Sequence, residues 1–210
     1  ARDIGRYATD SFVVATKSTV PVGTAARLSE IIRSASIQTI EVVSNPEFLR
    51  EGSAVGDFLR PTRIIIASSS SVATEVMLRL YQHVDCPKLI MDPASAELSK
   101  YAANTFLAMR LSFMNELSHV CEAVGADVEQ VARGCGSDPR IGKEFLRAGP
   151  GWGGSCFPKD VKALQKLGEK IGHPLPLVNA TLTMNGLARQ RVIERLTKEL
   201  DPLTGRVIGV

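Results

Sequence analysis

The sequence predicts an α/β fold in its first half and an all-helical second half. Three observations carry this reading. Apolar β-branched runs alternate with amphipathic stretches up to Asp92, an unbroken helical pattern follows Asp92-Pro93, and a glycine-rich loop ending in a cysteine precedes two further helical stretches. Phe12–Thr16, Thr39–Val43 and Arg63–Ala67 are near-continuous apolar runs, as in strands buried on both faces. Between them, Thr24–Ser34 carries helical spacing through Ala25, Leu28, Ile31 and Ile32. Ser71–His83 does the same through Val72, Val76 and Leu80, with serines available as caps. Strand–helix–strand order predicts a parallel sheet, which Lys88–Met91 would extend.

From Ser95 to Val124 the spacing predicts one long helix, ended by Gly125. Phe106, Met109, Phe113, Leu117, Val120 and Val124 step by three or four residues and form a single apolar stripe. A stripe of that length needs a broad surface, supplied either by a second copy of the helix or by an intramolecular bundle. Two more helices are expected, Pro158 to about Ile171 and Pro176 to Leu200, the latter through Leu182, Leu187, Val192 and Leu196. Gly205–Val210 reads as the first strand of a further element, and the chain is expected to be part of a longer protein.

Composition excludes several classes. The 210 residues are 44% hydrophobic and 22% charged, an ordinary globular balance with apolar mass for one or two cores. A net charge of +3 without a Lys/Arg-rich run gives no footprint for nucleic acid. No apolar run is long enough to span a bilayer, and the N-terminus has no signal-peptide pattern. Cys86, Cys121, Cys135 and Cys156 show no CxxC spacing, and His83, His119 and His173 are scattered. No metal site is therefore expected, and reduced thiols in a cytoplasmic protein are the simplest account.

The chemistry concentrates in Gly151-Trp152-Gly153-Gly154-Ser155-Cys156-Phe157-Pro158-Lys159-Asp160. Glycines let backbone approach a ligand, and Pro158 suits a first helical turn, where its missing N–H costs nothing. Cys156 then stands at a helix N-terminus, whose partial positive charge favours a thiolate. Lys159 supports that effect and Asp160 opposes it. A buried inert cysteine is the commoner fate of a free thiol, but the run of glycines favours a reactive nucleophile. Lys100 and Asn104 share one face of the long helix, either as donors to a developing oxyanion or as a solvated face. Glu47 and Glu51 follow Asn45-Pro46 where a strand leaves the sheet, the place open α/β sheets use for ligands. A base with a hydrogen-bond acceptor and a solvated turn fit them equally. Ser18-Thr19-Val20-Pro21 stands at a strand-to-helix turn, suited to a phosphate, a nicotinamide amide or a water, or to helix capping alone. Arg140, Lys143, Phe145 and Arg147 combine cations with an aromatic, as nucleotide sites do and as plain surface loops also do.

Taken in order, Lys17-Ser18-Thr19-Val20-Pro21, Asn45-Pro46-Glu47-Phe48-Leu49-Arg50-Glu51-Gly52, Glu97-Leu98-Ser99-Lys100-Tyr101-Ala102-Ala103-Asn104 and Gly153-Gly154-Ser155-Cys156-Phe157-Pro158-Lys159-Asp160 closely resemble the nucleotide-sugar dehydrogenases of the UDP-glucose/GDP-mannose dehydrogenase family. The resemblance covers essentially the whole chain. It implies a partial Rossmann-like parallel sheet over residues 1–92, an all-helical central dimerisation domain with one long helix over 93–204, and the start of a UDP-binding domain over 205–210. It implies NAD as cofactor and a UDP-sugar as substrate, UDP-glucose foremost. The C6 alcohol would be oxidised by four electrons to a carboxylate with two NAD⁺. A cysteine would hold the aldehyde as a thiohemiacetal and then as a thioester, since a thiolate both attacks and leaves.

By that resemblance Cys156 is the nucleophile, Lys100 and Asn104 stabilise the oxyanion, Asp160 with Thr19 positions a water, and Glu47 assists proton transfer in thioester hydrolysis. Thr19, Glu51 and Lys159 would touch NAD. Glu47, Phe48, Leu49, Lys100 and Asn104, together with Phe145, Leu146, Arg147, Ala148, Gly149 and Gly153, would bind the UDP-sugar. Arg140 would reach across a homodimer built on helix 95–124.

Two family features have no match in this sequence: the GxGxxG loop with its following acidic residue, since Gly5 is isolated, and a complete second nucleotide domain. The expectation is a chain that by itself binds NAD weakly and is inactive. GDP-mannose and UDP-N-acetylmannosamine are the alternative substrates within the family. Outside it stand a non-catalytic dimerisation module, with Cys156 a bystander, and a cysteine hydrolase or acyltransferase, for which His173 is the nearest histidine.

Overall fold

The β-branched runs of the first half form four strands, β1 (Phe12–Thr16), β2 (Ile40–Ser44), β3 (Ile64–Ala67) and β4 (Lys88–Met91), in a sheet of order β1-β2-β3-β4. In this computed structural model, which describes residues 1–200 and 203–209, the sheet belongs to the first of two units, residues 1–102 and 103–210. β1 and β2 run parallel, as do β3 and β4, but β2 and β3 meet antiparallel at one pair, Ser44 with Ala67. The α/β expectation holds, with a mixed sheet in place of an all-parallel one. The reason lies between β2 and β3. There α3 (Ala54–Leu59) has six residues and buries none, too little helix to cross the sheet and bring the chain back for a parallel partner.

Helices cover both faces. α2 (Thr24–Ala35) places Ala25, Leu28 and Ile32 on Val14 and Val42, while α4 (Ser71–Leu80) places Ala73 and Met77 on Val43, Ile64 and Ile66. Val42 and Val43 thus serve opposite faces, as the pleat requires. All four residues of β3 are buried, because Ile65 and Ala67 also meet Ala96 in the first turn of α5 (Pro93–Val124). β1 and β4 lie at the edges and are only partly buried, so burial on both faces holds for β3 and the end of β2. α1 (Arg2–Tyr7), which the sequence did not signal, lies on α2 at Gly5, where a Cβ would stand 2.8 Å from the Ile32 carbonyl oxygen.

One side chain ties these layers together. Glu97, 3% exposed, accepts the Gly23 N–H at 2.6 Å and the Ala25 N–H at 2.8 Å, and Ser44 donates its hydroxyl to it at 3.2 Å. The carboxylate so supplies the acceptor that the orphan N–H groups of α2 need and meets the positive end of that helix.

The second unit holds the rest of α5, α6 (Val128–Gly136), α7 (Phe157–Lys170) and α8 (Pro176–Leu200). Gly125, at φ +74°, ends α5 as expected, with the Ala126 N–H donating to the Cys121 carbonyl at 2.8 Å. α6 was not foreseen, and Asp127 caps it by accepting the Glu129 and Gln130 N–H groups. The core of the second unit joins Ala108, Trp152, Val161 and Val178 with Leu111, Leu164 and Leu182. The apolar stripe of α5 is not part of that core. Phe106, Phe113, Val120 and Val124 are 53–71% exposed, and the covered face instead carries Ala108, Ser112 and Asn115. No strand forms over residues 205–209, which have no neighbouring strand to pair with among the described residues. Val210, the last residue of that expected strand, lies outside them.

Two expectations test these contacts. Gly168 in α7 stands where a Cβ would lie 2.8 Å from both the His173 carbonyl oxygen and Leu175 Cγ, whereas Gly186 in α8 faces open space. Gly→Ala in a helix ordinarily stabilises by about 0.5–1 kcal/mol. Gly186→Ala should follow that rule, and Gly168→Ala should reverse it, costing about 1–3 kcal/mol. Urea midpoints that move the same way in both variants would refute the close approach. Glu97→Ala leaves two N–H groups and a hydroxyl without their acceptor and should cost upwards of about 2 kcal/mol by the same measurement.

Candidate active site

The loops after β1 and β2 carry the residues that the sequence singled out in the first unit, at the strand ends where open α/β sheets place ligands. Asn45, 1% exposed, organises them. Its carbonyl accepts from Lys17 Nζ at 3.0 Å and from the Tyr81 hydroxyl at 2.6 Å, and its Nδ2 donates to the Ile65 carbonyl at 2.6 Å. The loop holding half-buried Thr19 is thereby fixed beside the loop holding Glu47. Burial lowers the pKa of Lys17, against the opposing pull of the Glu47 carboxylate, and raises that of Tyr81.

Glu47 accepts the Leu49 N–H at 2.6 Å through Oε2, and its Oε1 lies 3.5 Å from Lys100 Nζ. Lys100 is 3% exposed, with the Phe48 ring 5.0 Å from its ammonium and Arg63 3.8 Å from the same ring. A buried ammonium needs close partners to offset its lost hydration. Here the ion pair is long, so the fold holds Lys100 in place more than Glu47 does. Leu49 and Glu51 are exposed on the following turn. That turn is closed by Arg50, whose guanidinium and N–H bind Asp57 and hold its carboxyl well below the usual range.

In the second unit α7 begins at the glycine-rich loop. Cys156 is its N-cap residue and Pro158 stands in its first turn. All four cysteines are free, and only Cys156 is exposed. One turn on, Asp160 is fully buried. Its Oδ2 accepts from Asn104 Nδ2 at 2.6 Å, its Oδ1 pairs with Lys159 Nζ, and its N–H donates to the Cys156 carbonyl at 2.9 Å. The structure therefore brings Asn104, Lys159, Asp160 and Cys156 together. It does the same for Glu47, Phe48 and Lys100 in the first unit.

The loop before the cysteine is less uniform. Phe145 adopts φ +59°, a rare conformation for a residue with a side chain, and its ring lies 6.1 Å from that of Phe157. Leu146 is buried, Ala148 half-buried, and Arg147, Gly149 and Gly153 are exposed. Arg140 is 87% exposed and folds onto Asp138 at 2.6 Å.

Three features escaped sequence reasoning. Glu97 lies inside a motif quoted for Lys100 and Asn104, yet its partners are more than fifty positions away. It accepts two backbone N–H groups at the N-terminus of α2. The Asn45 node is likewise long-range. Trp152, 4% exposed and held by polar side chains of α5 and α8, was signalled only by being the single tryptophan within a run of glycines.

Residues 1–85 match the NAD binding domain of the UDP-glucose/GDP-mannose dehydrogenase family, and residues 94–186 match its central domain. A UDP-glucose 6-dehydrogenase of Bacillus subtilis is 43% identical over 212 residues, 100% of this chain and 46% of that protein. A solved UDP-glucose dehydrogenase from the hyperthermophilic archaeon Pyrobaculum islandicum matches with TM-score 0.94 at 40% identity, over 98% of this chain and 49% of that one. A GDP-mannose dehydrogenase of Pseudomonas aeruginosa matches with TM-score 0.64 at 28% identity, over 94% and 48%. The chain spans about half the length of the relatives it matches. NAD is the cofactor that the N-terminal match assigns. Its two halves matching two successive domains of one family, the chain belongs to the UDP-glucose/GDP-mannose dehydrogenase family.

Proposed function

We propose that the whole protein oxidises UDP-glucose to UDP-glucuronate and that this chain carries the catalytic residues. One observation supports it above the rest: Cys156 is the exposed cysteine, at the N-cap of α7, one turn before a fully buried Asp160 bonded to Asn104. UDP-glucose is favoured over GDP-mannose because the UDP-glucose enzymes match at 40–43% identity and the GDP-mannose enzyme at 28%.

In this reading the C6 alcohol first gives its hydroxyl proton to the water held by Asp160 and Thr19 and loses a hydride from its carbon, which leaves the aldehyde. The Cys156 thiolate then adds to the aldehyde carbon, and Lys100 and Asn104 donate to the resulting oxyanion. Loss of a hydride from that thiohemiacetal carbon leaves a thioester. Asp160 and Thr19 position a water, and Glu47 takes up its proton as the water adds. The tetrahedral adduct then collapses, expelling the thiolate and leaving the acid, which releases its remaining proton to solvent as the carboxylate. NAD⁺, when bound, supplies the acceptor for both hydrides, and Thr19, Glu51 and Lys159 are the residues proposed to hold it. Phe48, Leu49, the Phe145–Gly149 segment and Gly153 bind the UDP-sugar. The sequence shows no GxGxxG pyrophosphate loop. The chain by itself is therefore proposed to be inactive.

The uncovered stripe on α5 supports a homodimer through that helix, with Arg140 reaching the partner's site. Among the described residues no helix is long and apolar enough to cross a membrane, and four free thiols support a cytoplasmic setting.

The whole protein should yield two NADH per UDP-glucose. Cys156→Ala should lower turnover by roughly 10³-fold or more. NADH from GDP-mannose alone would move the substrate, and normal turnover in Cys156→Ala would refute the covalent route. Phe113→Asp, in the stripe, should shift sedimentation from dimer to monomer. A dimer unchanged by it would place the interface elsewhere.

A further inference from the structure

The root of the Cys156 loop is held by side-chain hydrogen bonds. Asn185 on α8, 6% exposed, accepts the Trp152 N–H at 2.7 Å and donates through Nδ2 to the Trp152 carbonyl at 3.0 Å. Arg189, one turn further along α8, donates to the same carbonyl at 2.7 Å. From α5, Ser112 accepts Trp152 Nε1 at 2.9 Å and Asn115 accepts the Gly149 N–H at 2.7 Å. Gly151, at φ +102°, runs so close to α8 that a Cβ would lie 2.7 Å from Asn185 Oδ1. Beyond this root, Gly153 to Cys156 are all exposed, and Gly154 takes φ +80°. Four exposed residues thus carry the thiol from a clamped tryptophan to the N-cap of α7.

We propose that Asn185 and Arg189 are positioning residues for Cys156, acting through the Trp152 backbone. A side-chain amide that engages both the donor and the acceptor of one residue fixes that residue's orientation as well as its distance. The geometry of the next four residues inherits it. The apolar attachment of α8 is supplied separately by Val178 and Leu182. The proposal rests on Cys156 being the nucleophile, and its test needs neither NAD nor sugar, so its failure is distinguishable from failure of the dehydrogenase reading.

The test follows iodoacetamide alkylation of the 210-residue chain at pH 7, site by site, by mass spectrometry. Half-buried Cys135 is the reference, and buried Cys121 reports unfolding. Emission of Trp152, the one tryptophan, reports the clamp. Asn185→Asp keeps the size and the acceptor but loses the donor, and Arg189→Ala removes an exposed side chain. Each should lower Cys156 alkylation relative to Cys135 by roughly two- to five-fold as the thiol leaves the helix N-terminus. Trp152 emission should move to the red with Cys121 still protected. If Asn185→Asp exposes Cys121, Arg189→Ala decides alone. An unchanged Cys156:Cys135 ratio in a folded variant, or equal changes at all three cysteines, overturns the proposal.

Discussion

The first unit depends on the burial of one carboxylate. Taking Glu97 out of water would cost several kcal/mol on its own (of that order for any buried ion). What makes it tolerable is that the donors replacing water are backbone N–H groups at the positive end of α2, joined by the Ser44 hydroxyl. The start of α2, the end of β2 and the first turns of α5 become one hydrogen-bonded node. Lys100 stands three residues beyond Glu97 and Glu47 three beyond Ser44, so both are carried on elements that leave this node. Their 3.5 Å approach follows from it.

The second unit solves the same problem with different donors. Asp160 sits in the first turn of α7 and is completed by the Asn104 amide and the Lys159 ammonium. In the first unit the buried carboxylate is not paired with Lys100 among the described residues. Glu97 is matched by a helix end and Asp160 by an amide, a neighbouring lysine and its own helix. Among the described residues Lys100, the most deeply buried ammonium in the first unit, has a long ion pair and an aromatic ring beside it. A cation in that condition is unfavourable for stability and suitable for an incoming anion, a combination expected at functional sites rather than in cores.

Legibility in the sequence followed the range of the interaction. β1, β3, β4, α7 and α8, and the seat of Cys156 ahead of Pro158, rest on local pattern and were readable. α3 was not, because six residues with no buried side chain leave no periodicity to find. α6 was missed although Asp127 ahead of Glu129 is a usable capping signal; Gly134 and Gly136 obscured it. The α5 stripe is the instructive case. Periodicity found the apolar face correctly, yet the face covered within the chain is the one bearing Ala108, Ser112 and Asn115. Hydrophobic pattern reports where apolar surface is, not which surface the chain itself covers. Asn104 with Asp160, and Lys100 with Glu47, pair across more than fifty positions, which no single sequence displays.

The polar side chains on that face of α5, Ser112 and Asn115, have a physical cause in the loop they hold. A glycine-rich segment has no side chains to bury, so apolar packing cannot fix it, and glycine's backbone freedom makes it the costliest kind of chain to order. Order must then come from hydrogen bonds to the backbone, made in a dry environment where they are strong and where an unmade one is costly. Helices packed against such a loop have to present amides and hydroxyls where they would otherwise present leucine. Ser112 and Asn115 on α5 and Asn185 on α8 stand at those positions, and Trp152 supplies a large apolar anchor, its indole N–H matched by Ser112. These buried polar side chains of the second unit are the counterpart of the glycine run that leads to Cys156. The four exposed residues after Trp152 leave the thiol accessible while everything behind it is held.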